Sequence, residues 1–141
     1  MHIGFTGTRS FLQISEERKN AFDEALELLK DEGYTHLHHG DCIGSDYYAH
    51  TRALIFNYNI IIHPPYIDKQ RAYADKGKMP GYEGEITILD ERSFHQRNQD
   101  IVKNSHILLA MPANPEVEEL RSGTWSTIRF ARKLGREVRI F

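Results

Sequence analysis

Arg9, Arg97 and Arg121 each stand beside a small-residue turn or near a helix start. A guanidinium matches a phosphate with two parallel hydrogen bonds, so these side chains are candidate anion clamps. The stretch 121–129 reads Arg-Ser-Gly-Thr-Trp-Ser-Thr-Ile-Arg, after an apolar run at 107–111. A small-residue turn between a strand and a helix lets backbone N–H groups converge on an anion, and the helix dipole adds partial positive charge there. Gly7-Thr8-Arg9-Ser10 and His39-Gly40-Asp41-Cys42-Ile43-Gly44-Ser45-Asp46 are two more turns of this kind. Gly7, Gly40, Gly44 and Gly123 let backbone approach a ligand closely. Asp46, just inside a helix start, can accept from ribose hydroxyls.

Each of these residues also has a plainer role. Glycines after strands serve turns and caps, and a single arginine is commonly a solvated surface charge. Asp46 alone is a helix N-cap worth ~1 kcal/mol. Trp125, at helical spacing with Ile128, suits a core as well as a stacking platform. His36, His38, His39, Asp41 and Cys42 raise a different possibility, because their types suit zinc or another transition metal. On a strand, however, His36 and His38 share one face while His39 points the other way. Asp41 beside Cys42 raises rather than lowers the thiol pKa, which disfavours a nucleophile.

Strands and helices must alternate to position these turns. Residues 2–6 form a short strand stopped by the first turn. Residues 14–32 carry Ile14, Phe22, Ala25, Leu26 and Leu29 at helical spacing, with Ser15 as N-cap and Gly33 as the stop. A strand at 34–38, a helix from Asp46 to about residue 56 and an apolar strand at 60–63 follow, closed by Pro64-Pro65. Residues 66–85 show no periodicity and are expected to be a loop that closes a pocket. A short edge strand at 86–89, a helix at 94–103, a strand at 106–111, a helix ending at Gly135 and a strand at 137–141 complete the chain. The pattern is α/β, a doubly wound sandwich with a mainly parallel sheet. In such a sheet the turns after the strands share one edge, where ligands bind at the reversal of strand order. That rim gathers Gly7, Thr8, Arg9, Gly40, Asp41, Gly44, Asp46, Pro64, Arg97, Asn98, Met111, Arg121, Ser122, Gly123 and Thr124, and suggests a nucleotide-like ligand.

The bulk numbers set bounds. The 141 residues are expected to form one domain with one core. A net charge of −2 disfavours holding nucleic acid by a strong overall field, although 11 of the 18 cations are Arg. The lone cysteine excludes an intrachain disulfide and a Cys-rich zinc site. No signal-type segment and no apolar run near ~18 residues is present, so the cytoplasm is the expected compartment, with no membrane contact.

Five segments together resemble the SLOG superfamily, a Rossmann-like group that includes the LOG-type nucleotide phosphoribohydrolases and the DNA-processing protein A fold. They are Gly4-Phe5-Thr6-Gly7-Thr8-Arg9, the loop from His38 to Asp46, His63-Pro64-Pro65, Arg97-Asn98 and Ser122-Gly123-Thr124. The resemblance implies a Rossmann-like three-layer sandwich and a nucleotide-type ligand. It also implies a departure. LOG-type enzymes carry a glutamate in a Gly-Thr-x-x-Glu motif, and the corresponding residue is Thr127, which cannot supply a carboxylate. Glu116, Glu118 or Glu119, in the longer insert before Ser122, is available to substitute.

The resulting expectation is a nucleotide or NAD-derived ligand that is sensed or sequestered, with no resident cofactor or metal. Backbone groups at Gly7-Thr8 and Ser122-Gly123-Thr124 would hold phosphates, and Asp46 and Asn98 would hold sugar hydroxyls or base edges. A homo-oligomer is expected. The alternative is a hydrolase or transferase at an N-glycosidic bond that uses Asp46 or Glu119, and a nucleic-acid binder is the least supported.

Overall fold

The computed structural model describes residues 1–77 and 79–141. Lys78, inside the expected 66–85 loop, lies outside the described residues. The strands are β1 (His2–Gly7), β2 (His36–His39), β3 (Asn59–Ile62), β4 (Ile86–Ile88), β5 (Ile107–Met111) and β6 (Glu137–Ile140). The helices are α1 (Glu16–Asp31), α2 (Ser45–Ile55), α3 (Phe94–Lys103) and α4 (Gly123–Lys133). All strand pairs are parallel, in the order β4-β3-β2-β1-β5-β6. This is a Rossmann-like three-layer α/β sandwich, and its strand order reverses between β1 and β5.

The alternation of side chains along the strands builds both layers. Ile3, Phe5, Leu37, Ile60, Ile62, Ile107, Leu109 and Met111 face α1 and α2, where Phe22, Leu26, Leu29, Ala49 and Ala53 cover them. On the other face, Leu108 and Ala110 pack with Val102 of α3 and Trp125, Ile128 and Ala131 of α4. Trp125 therefore belongs to the core. No described helix is long and apolar enough to cross a membrane.

Local chemistry sets the ends of the elements. The Ser15 hydroxyl accepts from the Arg18 N–H and starts α1, while Ser93 and Ser122 do the same for α3 and α4. β2 begins two residues later than its alternation suggests, because the Tyr34 N–H donates to Leu29 O and finishes the α1 turn. α2 begins at Ser45 rather than Asp46. Its cap is Gly44, held at φ 93°, a backbone region that disfavours other residues.

Among the described residues, the connection from β3 to β4 has no α-helix. Two 3-10 turns, Asp68–Gln70 and Ala74–Lys76, give it structure that its composition did not announce. Asp41 anchors it. This carboxylate is fully buried and accepts from Arg71 Nε at 3.1 Å and from the Ala74 N–H at 3.0 Å. The short 3-10 turn Phe11–Gln13, between β1 and α1, was likewise unanticipated.

The histidines of β2 divide between the faces as alternation requires. His2 Nδ1 lies 2.7 Å from His38 Nε2, and His38 Nδ1 lies 2.8 Å from His63 Nε2 on the α3 side. His39 Nε2 meets His50 Nδ1 at 2.9 Å on the α2 side. Among the described residues, no three His, Cys, Asp or Glu side chains form a group able to hold a metal ion.

Candidate functional site

A cavity of about 490 Å³ opens where β1 and β5 end side by side. The register pairs Gly7 with Met111, so the loops after these two strands leave the sheet at one level. β1 and its turn contribute Thr6, Gly7, Thr8, Arg9 and Ser10, and the second turn contributes Gly40, Cys42 and Asp46. Phe94, Arg97, Asn98 and Ile101 line it from α3. The loop after β5 and the start of α4 add Ala113, Glu119, Arg121, Ser122, Gly123 and Thr124.

One wall suits an anion. The first amides of a helix have no carbonyl to meet within it. In α4 the Ser122 hydroxyl takes the Trp125 N–H, and the earlier amides of Gly123 and Thr124 remain beside the cavity. A Cβ built on Gly123 meets nothing within 4 Å. Close approach at this glycine is therefore open to a ligand rather than filled by protein. Arg121 has no protein partner among the described contacts, and neither does Arg9 across the crevice.

The other glycines of the rim are occupied by protein. A Cβ on Gly7 would sit 2.6 Å from Ser45, and one on Gly44 would sit 2.6 Å from the Arg9 carbonyl. Ser45 also fixes the first turn, since its N–H donates to Thr8 O at 3.0 Å and its hydroxyl donates to the same oxygen. Gly40 is bare because the Arg97 guanidinium fills the space where a Cβ would stand.

Arg97 is only 5% exposed and forms part of the floor. It donates to the carbonyls of Gly40 and His63, and to Cys42 Sγ at 3.3 Å, which leaves Nε as its unpartnered atom. It is thus a strut, with Nε buried and unpartnered. Asp46 is 6% exposed, and one of its oxygens accepts from the Cys42 N–H at 3.1 Å. Burial pushes its carboxyl up to about 6, against the pull of Arg97 and the backbone hydrogen bonds. It is an acceptor within the loop, not a cap for α2. Burial, and Asp46 after it, push the Cys42 thiol up, so the cavity wall holds a thiol and not a thiolate.

No protein-family model matches the chain, and no curated protein matches it. Among solved structures, the chain is similar to the X-ray structure of TM1055, a structural-genomics target. The TM-score is 0.64 at 16% identity, over 97% of this chain and 71% of the other. At that identity the likeness shows the fold alone, and it agrees with the parallel sandwich described above.

Of the residues gathered on the rim by sequence, Asp41, Gly44, Pro64 and Met111 do not line the cavity. Asp41 holds the β3–β4 connection, and Gly44 caps α2. Pro64 is buried, with its carbonyl accepting from the Arg92 N–H, and the Met111 side chain lies in the core under α1 and α2. No described residue from 66–85 lines the cavity either, so that segment braces the second turn rather than closing the pocket. Thr127 is buried, and its hydroxyl donates to Gly123 O at 2.9 Å, one turn back in α4. Glu118 faces Arg129 at 3.5 Å, which leaves Glu119 as the carboxylate of the insert on the cavity.

As cavity residues, sequence reasoning missed Phe5, Thr6, Ser10, Cys42, Phe94, Ile101 and Ala113. It also missed Arg18, whose guanidinium donates to the carbonyls of Pro112, Ala113 and Phe141 and so holds the exit of β5 in place. The signal for Thr6 was its alternation with the core residues Ile3 and Phe5. Arg18 gave none, since its partners are backbone oxygens about a hundred residues away.

Proposed function

We propose that this chain binds a nucleotide or an NAD-derived small molecule at the crevice between β1 and β5, as a sensor or a sequestering protein. One observation carries the reading. The crevice at the reversal of strand order receives the free first-turn amides of α4 together with two guanidinia, Arg9 and Arg121, that have no ion-pair partner among the described residues. Asp46 and Asn98 face the same space and suit sugar hydroxyls or base edges. Phe94 supplies the aromatic surface there, the role sequence reasoning weighed for Trp125.

The test is to incubate the purified chain with a panel of nucleotides and NAD derivatives, then identify what it retains. Intact ligand released on denaturation is the expected result. Gly123→Val, which fills the open space at α4, should weaken binding at least tenfold, and unchanged affinity would overturn the site. The reading extends to a cytoplasmic homo-oligomer. Exposed Leu12, Val117 and Leu120 lie on the loops beside Arg9 and Arg121, and light scattering of the purified chain tests the assembly.

A second reading is favoured by Asp46. A buried carboxyl with its proton affinity raised to about 6, in one cavity with Glu119, has the equipment for general acid–base work at an N-glycosidic bond. Free base accumulating with turnover, lost in Asp46→Asn while ligand still binds, would establish hydrolysis or transfer instead of sequestration.

A further inference from the structure

The donors around the crevice fall into two sets, on the loops of two adjacent strands. Helix ends differ in what they offer an anion, because acidic residues in the first turn cancel the dipole. α1 carries Glu16 and Glu17 there and α2 carries Asp46, whereas α3 and α4 carry none. α1 is also separated from the first turn by the 3-10 turn Phe11–Gln13. The usual seat of a first-turn phosphate, the start of the helix after β1, is therefore not available. α4 takes its place, with the Gly123 and Thr124 amides and Arg121.

Three buried residues that line this cavity each hold a polar atom without a partner in the protein. Thr6 and Thr124 are each 8% exposed and line it, and neither hydroxyl has a hydrogen bond within the protein. Arg97 Nε is the third. Across from α4 lies a second donor set on residues 9 and 10; the expected backbone seat at Thr8 is taken, because the Thr8 N–H donates to Met111 O and the Ser10 N–H to Thr8 Oγ1. The Arg9 side chain and Ser10 hydroxyl are uncommitted. Each set has its own guanidinium, and both sets line the one cavity.

We propose that the ligand carries two linked phosphoryl groups, one on the first turn of α4 with Arg121 and the other on Arg9 and Ser10. This rests on the nucleotide reading above and narrows it to the diphosphate class, a nucleoside diphosphate or a pyrophosphate-bridged dinucleotide fragment. Calorimetry on the full chain with phosphate, pyrophosphate, AMP, ADP and ADP-ribose tests it. ADP and ADP-ribose should bind at least tenfold tighter than AMP, and pyrophosphate tighter than phosphate. Arg9→Ala and Arg121→Ala should each weaken ADP at least tenfold, whereas AMP, which fills one of the two seats, should respond strongly to only one of them. Equal affinity for AMP and ADP, or AMP losses as large as the ADP losses in both variants, would overturn the two-phosphate assignment and leave the nucleotide reading standing. Binding of none of the five probes would overturn both.

Discussion

Asp46 concentrates the electrostatic cost of the site in one side chain. Its carboxyl is raised to about 6 chiefly by burial, so the folded state binds a proton more tightly there than the unfolded chain does. The stability that proton contributes is complete below the unfolded value near 4 and is lost as pH rises through 6. Asp46→Asn keeps an acceptor for the Cys42 N–H and removes the charge. It should raise stability above pH 6 by on the order of 2 kcal/mol, read as a higher urea midpoint at pH 7.5, with little gain at pH 4. An unchanged midpoint at pH 7.5 would mean that the carboxylate is solvated. Gly40 works by space instead. An added Cβ would stand 1.8 Å from Arg97 Nη1, a group pinned by two carbonyls and the Cys42 sulfur. Gly40→Ala should therefore cost ~1–3 kcal/mol in stability, measured by thermal or urea unfolding.

At the scale of elements, two glycines at helix starts look alike in sequence and differ in consequence. Gly44 pairs positive φ with the Arg9 backbone at contact distance, whereas Gly123 has open space. Gly44→Ala should lower the melting temperature markedly, and Gly123→Val should leave it near the wild-type value while reducing nucleotide affinity. Ser122→Ala removes the cap that α4 uses and should cost about 1 kcal/mol of stability. The helices and strands were largely legible because their periodicities are strong: α3 ends where its pattern ends, and the Ser15, Ser93 and Ser122 caps are local signals. The 3-10 turns were not legible, since Asp68–Gln70 and Ala74–Lys76 sit in a stretch organised by a distant carboxylate, Asp41. The rim was legible in outline because parallel strands force their turns together. Its division of labour was not. Whether a glycine admits a ligand or another side chain, as at Gly123 and Gly40, depends on contacts made across the fold.

For the whole molecule, the buried histidines set the response to acid. Burial, then neighbouring imidazoles, lowers His38 to about 3, and burial lowers His63 to about 4. His39 and His50 are lowered in the same direction, again by burial first. Folding thus requires these rings to stay neutral. The stability they contribute is complete above their unfolded value near 6.5 and is lost as pH falls below it. Each such ring contributes a slope of up to about 1.4 kcal/mol per pH unit. Four of them outweigh the opposite trend of Asp46, so the urea midpoint should fall steeply between pH 6 and 4. A flat midpoint over that interval would place these rings in water.

The chain of rings from His2 through His38 to His63 also restricts where protons reside. A neutral imidazole donates from one nitrogen and accepts at the other, and both nitrogens of His38 are engaged. His2 and His63 must then take opposite roles, one giving and one receiving. Only two proton arrangements satisfy the chain, all three rings protonated at Nε2 or all three at Nδ1, and passing from one to the other releases a proton at one end ring and takes one up at the other. His63 lies at the end of β3, where its carbonyl accepts from Arg97, and His2 lies at the far end of β1. The tautomer of the ring at one end of the chain is therefore the tautomer of the ring at the other.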